Sequence, residues 1–490
     1  MNPAAPLASS SSGELVELAD ALPPSALINP DIAPTRLEQR TWNLWHVASL
    51  WVGMSVCIPT YMLAASMIDA GLSWQLSLFA ILLGNAIVLV PLVINAHAGA
   101  KYGIPFPVYA RAAFGHSGAH VPALMRAVVA CGWFGIQTWI GGLAINALLG
   151  ILWPAWLSLG GEWRFMGYGV SHYVSFLAFW LVNMYFVWAG TESIKWLETL
   201  SAPVLIGLGL ALLAWATFRV GGLGVMLDGA DALRPAEGGA RTSALAVLVP
   251  WVTAMVGYWA TLSLNIPDFT RYAKSQRDQA IGQALGLLTT MPLFAFIGVA
   301  VTSATVVLYG QAIWNPVDLL ARLANESGSP LLGLLALAAI VVATLTTNIA
   351  ANIVAPANSI ANLNPRRIGF RLGGLIAGAL GVLIFPWKLL DMYQGWLITY
   401  SGLLGAVGGV IVCDYVLIRR GALVLKDLYT VDGAYAYRRG INRHALVALT
   451  AGVLVALAGT LAAPLRFLFD GAWFSAAIVS FGLYWLLMKR

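Results

Sequence analysis

Twelve apolar stretches alternate along this chain with shorter polar segments. A helix needs about 17–25 mainly apolar residues to cross the hydrocarbon core of a bilayer, and each stretch approaches or exceeds that length. The pattern therefore predicts an all-α integral membrane protein with twelve transmembrane helices. We number these predicted spans 1 to 12 in chain order. They cover residues 46–69, 73–97, 122–152, 171–189, 198–218, 244–266, 281–309, 332–357, 371–390, 393–418, 443–463 and 467–488.

The composition agrees with this class of protein. Of the 490 residues, 59% are apolar and 10% are charged, and the mean hydropathy is +0.79. Soluble domains carry about 25% charged residues, so the lipid bilayer is the expected surroundings of this chain. All three cysteines fall inside predicted spans, which gives no sign of an extracellular disulfide framework.

The basic residues predict how the chain is oriented. Twenty of the 27 Lys and Arg residues fall on the side of the N-terminus and seven on the other side. Because cytoplasmic loops are enriched in Lys and Arg, we expect a multi-pass protein of the inner (plasma) membrane with both termini in the cytoplasm. The net charge of +6 is then a signal of topology, and we expect no nucleic-acid partner.

The chain divides into three parts. Residues 1–40 are rich in Ser, Pro and Ala and are predicted to form a flexible cytoplasmic tail. Residues 41–420 contain the first ten spans and form the predicted core. Residues 421–490 contribute an inner loop and the last two helices.

Span 8 contains an unusually polar run, Ala343-Thr-Leu-Thr-Thr-Asn-Ile-Ala-Ala-Asn352. Hydrocarbon offers no hydrogen-bond partners, so polar groups at this depth usually face a cavity, another helix or a ligand. At 100° per residue, Ala343, Thr346 and Thr347 share one face of the helix, and Asn348 and Asn352 share the next. Two adjacent polar faces suit two ligands, which indicates coupled transport.

Spans 1 and 6 share a pattern that predicts broken helices. Span 1 reads Val52-Gly-Met-Ser-Val-Cys-Ile-Pro59, and span 6 reads Val256-Gly-Tyr-Trp-Ala-Thr-Leu-Ser-Leu-Asn-Ile-Pro267. Glycine permits unwinding and proline removes a backbone donor. Matched interruptions in two halves of a chain point to an inverted-repeat transporter with its site near the midplane. The alternative is that these residues only shape helix packing.

Span 3 places a tryptophan and a glutamine on one helical face. Trp133 and Gln137 are four residues apart, and Trp133 lies about ten residues into the span, too deep for an interfacial belt. This pair suits a flat ligand that forms hydrogen bonds. The alternative is helix packing with an amide bond between helices.

Several runs together resemble the nucleobase:cation symporter-1 family. They are Trp133-Phe-Gly-Ile-Gln-Thr-Trp139 in span 3, Asn265-Ile-Pro-Asp-Phe-Thr-Arg271 after span 6, and Thr347-Asn-Ile-Ala-Ala-Asn-Ile-Val-Ala-Pro356 in span 8. The resemblance covers nearly the whole chain and is strongest to bacterial allantoin permeases, with a clear similarity to the hydantoin transporter. The Gly160-Gly-Glu-Trp163 and Glu192-Ser-Ile-Lys195 loops also look allantoin-permease-like.

The resemblance implies a LeuT-type fold of two inverted five-helix repeats plus two helices. It also implies two groups of site residues and an outer gate at residues 397–404. The substrate group comprises Trp133, Gln137, Trp259 and Asn352, with Asn348 and Cys57 nearby. The sodium group comprises the carbonyls of Gly53, Val56 and Ala343 and the hydroxyls of Thr346 and Thr347.

These residues predict a sodium-coupled importer of a small neutral heterocycle of the allantoin, hydantoin or uracil type, without a further cofactor. Carboxylates and histidines lie near the ends of the spans, whereas proton relays usually need them at membrane depth. A proton-coupled or uniporting permease for cytosine, purine or thiamine-like substrates is the alternative. A receptor or channel is the alternative outside transport by a carrier. The spans contain no GxSxG, HExxH or facing acidic pair, so we expect no enzyme activity.

Overall fold

The computed structural model is almost entirely helical and describes residues 7–9, 14–18, 25–189, 195–229, 244–326 and 330–489. Two short antiparallel hairpins accompany the helices, β1–β2 (Leu7–Ser9, Val16–Leu18) and β3–β4 (Arg164–Phe165, Tyr168–Gly169). The helices in chain order are α1 Leu44–Ser55, α2 Ile58–Asp69, α3 Trp74–Tyr102, α4 Phe106–Phe114, α5 His120–Leu152, α6 Val170–Ala189, α7 Lys195–Val220, α8 Leu223–Asp228, α9 Ala244–Asn265, α10 Pro267–Thr270, α11 Gln276–Tyr309, α12 Pro316–Glu326, α13 Pro330–Asn352, α14 Val354–Ala361, α15 Phe370–Leu383, α16 Pro386–Asp391, α17 Tyr393–Cys413, α18 Arg443–Ala458, α19 Arg466–Asp470 and α20 Ala472–Met488.

All twelve predicted spans are helical in the described residues. Eight helices are long and apolar enough to cross a membrane, and two bent pairs qualify when each pair counts as one span. The two remaining spans contain shorter apolar helices, α15 and α18. The predicted twelve-helix membrane architecture agrees with this arrangement.

Span 1 is broken where the sequence predicts, between α1 and α2, which meet at a bend of 56°. Span 6 is not broken at its glycine, because α9 runs without interruption from Ala244 to Asn265. A Cβ atom on Gly257 would lie only 2.7 Å from the carbonyl oxygen of Leu397 in α17. This glycine therefore allows close helix packing, and the prediction of a second broken span was wrong.

Two later spans contain breaks that the hydropathy pattern did not show. Span 9 was predicted as one helix over residues 371–390, but α15 ends at Leu383 and Phe385 adopts a left-handed backbone with φ of 55°. Pro386 disfavours a helical conformation at the residue before it, which explains the break. In span 12, the segment Ala463–Asp470, which ends with α19, meets α20 at Gly471 at a bend of 83°.

The helix α11 packs closely against the broken span 1. A Cβ atom on Gly286 would lie 2.5 Å from the Cβ of Trp51, so only glycine permits this approach of the two helices. At the start of α1, the Asn43 side chain accepts hydrogen bonds from the amides of Trp45 and His46. The Leu44 amide donates to the Asp278 carboxylate of α11 at 2.8 Å. The hydrogen bond between Leu44 and Asp278 therefore joins the first turn of α1 to the first turn of α11.

Residues 25–40 pack against the rest of the molecule through many hydrogen bonds, so the prediction of a flexible tail does not hold for this part. The bonds join Asn29 Nδ2 to Pro365 O, Arg271 Nη1 to Asp31 O, Tyr429 Oη to Ile32 O, and Arg40 Nη1 to Ala100 O. Burial lowers the pKa of Arg40 to about 10. Glu192, Ser193 and Ile194 of the Glu192-Ser-Ile-Lys195 run lie outside the described residues.

Candidate functional site

The bend in span 1 frees two backbone carbonyls. In an unbroken helix, the amide of Cys57 would donate to the Gly53 carbonyl and the amide of Thr60 to the Val56 carbonyl. Here the Cys57 amide donates to Ser55 O at 3.1 Å, and the Thr60 amide donates to Cys57 O at 3.1 Å. The carbonyls of Gly53 and Val56 are therefore available to another ligand.

The polar face of α13 carries the other predicted cation ligands. Thr346 is fully buried, Ala343 and Thr347 are nearly so, and the Thr346 hydroxyl donates to the Ala343 carbonyl at 2.9 Å. Gly53, Thr346 and Thr347 line the same cavity, whereas Val56 and Ala343 lie outside its lining. Uncharged oxygen atoms from a bent helix and from threonines suit a small hard cation such as sodium.

This cavity has a volume of about 660 Å³ and extends along α1. It begins near Trp42 and Asn43, at the end of α1 where residues 25–40 pack, and it reaches Gly53 and the threonines of α13. Ala202 of α7 also lines it. The structure thus contains a wide path from one end of the helix bundle to the predicted cation ligands.

A second, much smaller cavity of about 30 Å³ lies beside the bend. Five of the six predicted substrate residues line it: Cys57, Trp133, Gln137, Trp259 and Asn352. They come from spans 1, 3, 6 and 8, so the fold brings together residues that are far apart in the sequence. Thr347 lines both cavities, which places the two predicted sites side by side.

Gln137 is the polar group in this small cavity that most needs a partner. Its side chain is 4% exposed. Its Oε1 atom is buried and accepts no hydrogen bond from any part of the chain that the structure describes. A buried acceptor without a donor is costly, and a ligand that carries an N–H group would satisfy it.

Asn348 does not line the small cavity, but it forms a hydrogen bond with Asn352, which does. Three acceptors share the two N–H groups of Asn348, because its Nδ2 atom lies 3.2 Å from Phe134 O, 3.0 Å from Thr138 Oγ1 and 3.2 Å from Asn183 Oδ1. Its Oδ1 atom accepts from Asn352 Nδ2 at 3.0 Å. Asn348 therefore positions Asn352, and a direct contact between Asn348 and a ligand is not supported by this geometry.

The two predicted indoles present ring surfaces to the cavity. The Trp133 indole N–H donates to Tyr400 Oη at 3.0 Å, and the Trp259 indole N–H donates to Met291 Sδ at 3.0 Å. Since both donors are already used, these side chains offer apolar and π surface to a ligand.

Tyr258, which no sequence pattern indicated, also lines the small cavity. Its ring contacts both indoles, and its hydroxyl contacts Cys57 and Thr60 of the bent span. Tyr258, Thr261 and Leu262 share one face of α9 and all line the cavity, but no pattern within span 6 alone distinguishes that face.

The predicted outer gate at residues 397–404 is tightly packed and contacts a wall of the small cavity through the hydrogen bond between Tyr400 and Trp133. Leu397 and Ser401 are fully buried, and Tyr400 is nearly so. At the start of the same helix, Tyr393 Oη donates to the Pro59 carbonyl at 3.0 Å. The half of the molecule opposite the large cavity is therefore closed at this point.

The run at 265–271 joins helix ends on the side where residues 25–40 pack. Asn265 Oδ1 accepts two bonds from the Arg126 guanidinium at 3.0 and 2.7 Å. Asp268 Oδ1 accepts the Phe106 amide at the start of α4. Burial raises the pKa of Asp268. These residues therefore connect α5, α9 and α4, away from the candidate ligand sites.

The comparison with known protein families decides where this chain belongs. The profile of a family described as "Permease for cytosine/purines, uracil, thiamine, allantoin" matches residues 34–481. The chain is a member of this permease family. It is 43% identical to the purine-uracil permease NCS1 of Arabidopsis thaliana over 95% of this chain and 78% of the relative. It is 40% identical to the allantoin permease of Bacillus subtilis over 94% of this chain and 93% of the relative.

Two solved structures of Mhp1, a nucleobase-cation-symport-1 family transporter, match this permease in fold. The inward-facing structure has a TM-score of 0.77 and 26% identity and covers 96% of both chains. The closed structure, with bromovinylhydantoin bound, has a TM-score of 0.72 and 25% identity and covers 94% of this chain and 96% of Mhp1. The predictions of the family and of the LeuT-type fold are confirmed.

Proposed function

We propose that this permease is a secondary active importer of a small neutral heterocycle of the allantoin, hydantoin or uracil type. The observation that carries the proposal is the unsatisfied Gln137 acceptor in a small cavity, together with Asn352 and the surfaces of Trp133 and Trp259. An amide edge and two indole surfaces are complementary to a flat ring with N–H and C=O groups. The lining residues are uncharged, which favours a neutral substrate.

Sodium is the proposed coupling ion. The carbonyls of Gly53 and Val56 and the hydroxyls of Thr346 and Thr347 supply the ligand chemistry, and the carbonyl of Ala343 completes the predicted set. Because Thr347 lines both cavities, a bound cation and a bound heterocycle would each favour the geometry that the other needs. Reciprocal coupling of this kind typically amounts to about 1–3 kcal/mol.

Alternating access is the proposed mechanism. The large cavity opens the cation ligands toward the end of the molecule where residues 25–40 pack, while span 10 covers the opposite side. We assign the open side to the cytoplasm and place the permease in the inner (plasma) membrane with both termini inside. Residues 41–420 would form the transport core, with residues 1–40 as an inner segment and 421–490 as an accessory pair of helices.

Reconstituted proteoliposomes test the proposal. We expect labelled allantoin, hydantoin or uracil to accumulate against its gradient when sodium is present outside and to equilibrate only slowly when choline replaces sodium. Competition by cytosine, purines and thiamine in the same assay ranks the substrates. Equal uptake in sodium and choline at fixed pH would refute sodium coupling, and a protonophore would then test the proton-coupled alternative.

The same vesicles separate a carrier from the remaining alternatives. A channel would equilibrate the label without accumulation, and a receptor would bind it in a fixed ratio to protein without filling the vesicle volume. Either result would overturn the proposed function.

A further inference from the structure

The ring of Tyr258 forms a wall shared by the two indoles of the small cavity. Its centroid lies 5.1 Å from that of Trp133, at an interplanar angle of 75°, and 4.8 Å from that of Trp259, at 87°. Both contacts are edge-on, the arrangement that aromatic quadrupoles favour. Since Tyr258 is only 6% exposed and the cavity is only about 30 Å³, the ring occupies space that a larger ligand would need.

The Tyr258 hydroxyl is fixed by two groups at the bend of span 1. Its Oη lies 3.2 Å from Cys57 Sγ and 3.0 Å from Thr60 Oγ1, and these two atoms are 3.3 Å apart. A phenol offers one donor and two acceptor positions, and this cluster occupies two of them. The side chain therefore presents mainly its ring to a ligand, whereas Gln137 presents an unsatisfied polar atom.

We propose that Tyr258 limits the size of the heterocycle that the pocket accepts, and that Cys57 and Thr60 are positioning residues that hold its ring. This inference rests on the proposed function and refines it by naming the substrate class. Within the proposed class, the preferred substrates are single-ring heterocycles without a bulky ring substituent, such as hydantoin and uracil, ahead of allantoin, whose ring carries a ureido group. Gln137 and Asn352 contact the polar edge that small and substituted heterocycles share, so those two residues do not discriminate by size.

Uptake by proteoliposomes containing the full chain tests this inference. The small probes are hydantoin and uracil, and the large probe is bromovinylhydantoin. Allantoin is measured for transport only, because its ring carries a ureido group. The measured quantity is the ratio of kcat/KM for the best small probe to kcat/KM for the large probe. The variants are Tyr258→Ala, Tyr258→Leu, Tyr258→Phe and Thr60→Val. Tyr258→Leu retains more buried volume than Tyr258→Ala and serves if the alanine variant misfolds.

Thr253→Val is the matched control. Thr253 lies on the same helix as Tyr258, is fully buried, and its hydroxyl has no hydrogen-bond partner in the described part of the chain. We expect this variant to keep the wild-type ratio within about twofold, as for a site away from ligand contacts. A comparison of the two Thr→Val changes isolates the hydrogen bond to Tyr258.

We expect wild type to prefer the small probe and Tyr258→Ala or Tyr258→Leu to reduce that preference by about tenfold or more, as a change in pocket volume does. Tyr258→Phe and Thr60→Val should shift the ratio in the same direction by about 2–10-fold, since each removes a hydrogen bond that holds the ring. Binding measured by quenching of tryptophan fluorescence in purified protein should show the same order of preference.

The outcomes separate the inference from the function on which it rests. If wild type takes up no probe of the panel, the proposed function and this inference both fail. If wild type transports a small probe and shortening Tyr258 leaves the ratio unchanged, the function stands and the size limit is refuted. If Thr60→Val behaves like Thr253→Val, the positioning role of Thr60 is refuted.

Discussion

Replacing Gln137 by leucine should change stability and affinity in opposite directions. Leucine has a similar size but removes the buried Oε1 atom that has no donor in the described residues. An unsatisfied buried polar group costs about 1–3 kcal/mol. Without ligand, we therefore expect Gln137→Leu to have a free energy of unfolding about 1 kcal/mol higher than that of wild type. Substrate binding should weaken by about 1–3 kcal/mol, or roughly 5–150-fold in Kd, because the ligand loses its acceptor.

Thermal unfolding without ligand measures the first effect, and calorimetric titration with the best substrate measures the second. Gln283→Leu is the matched control, because Gln283 of α11 is fully buried and its Oε1 atom also has no partner among the described residues. Gln283 lies outside the small cavity, so its variant should leave Kd unchanged. Unchanged substrate affinity in Gln137→Leu would refute the role of this glutamine as a ligand contact.

Three further predictions concern the proposed cation ligands, the hydrogen bonds of Asn348 and the titration of His116. Replacing Thr346 and Thr347 together by alanine should raise the sodium concentration for half-maximal uptake roughly tenfold, with an unchanged order of substrate preference in competition assays. Asn348→Ala should lower the free energy of unfolding by about 2–4 kcal/mol in thermal denaturation and weaken substrate binding, because it removes the hydrogen-bond partner of Asn183 Oδ1 and of Asn352 Nδ2. Burial and the nearby Arg111 lower the pKa of His116. The unfolded chain therefore binds a proton at His116 more readily than the folded chain does. The free energy of unfolding should fall as the pH drops below 6.5. In melting scans across that pH range, His116→Asn should show a smaller fall in melting temperature than wild type.

Sequence patterns predicted the features that depend on a single helix. The positions of the spans followed from hydropathy, and the polar face of span 8 followed from helical spacing. The bend of span 1 followed from its glycine and proline, and Pro59 lies in the first turn of α2, directly after the bend. The family resemblance supplied the set of candidate residues, and five of the six substrate candidates meet at one cavity.

The failures arose where packing between helices decides the outcome. Gly257 has the same sequence context as Gly53, but it lies against the backbone of α17 and its helix continues. Asn348 and Asn352 are neighbours on one helical face, yet a bond between them places only Asn352 at the cavity. Tyr258 was missed because its position at the cavity depends on partners in spans 1 and 3. Single-span patterns contain none of this information.

The uncharged lining of the small cavity and the uncharged oxygen ligands beside it have an electrical consequence. Neither the side chains around the small cavity nor the predicted oxygen ligands beside the bend carry a formal charge. If the proposed transport carries one cation per neutral heterocycle, the loaded carrier would move one net positive charge and the empty carrier would return with none. Membrane voltage then acts on the loaded step alone and supplies about 2.3 kcal/mol per 100 mV, even without a concentration gradient of the ion.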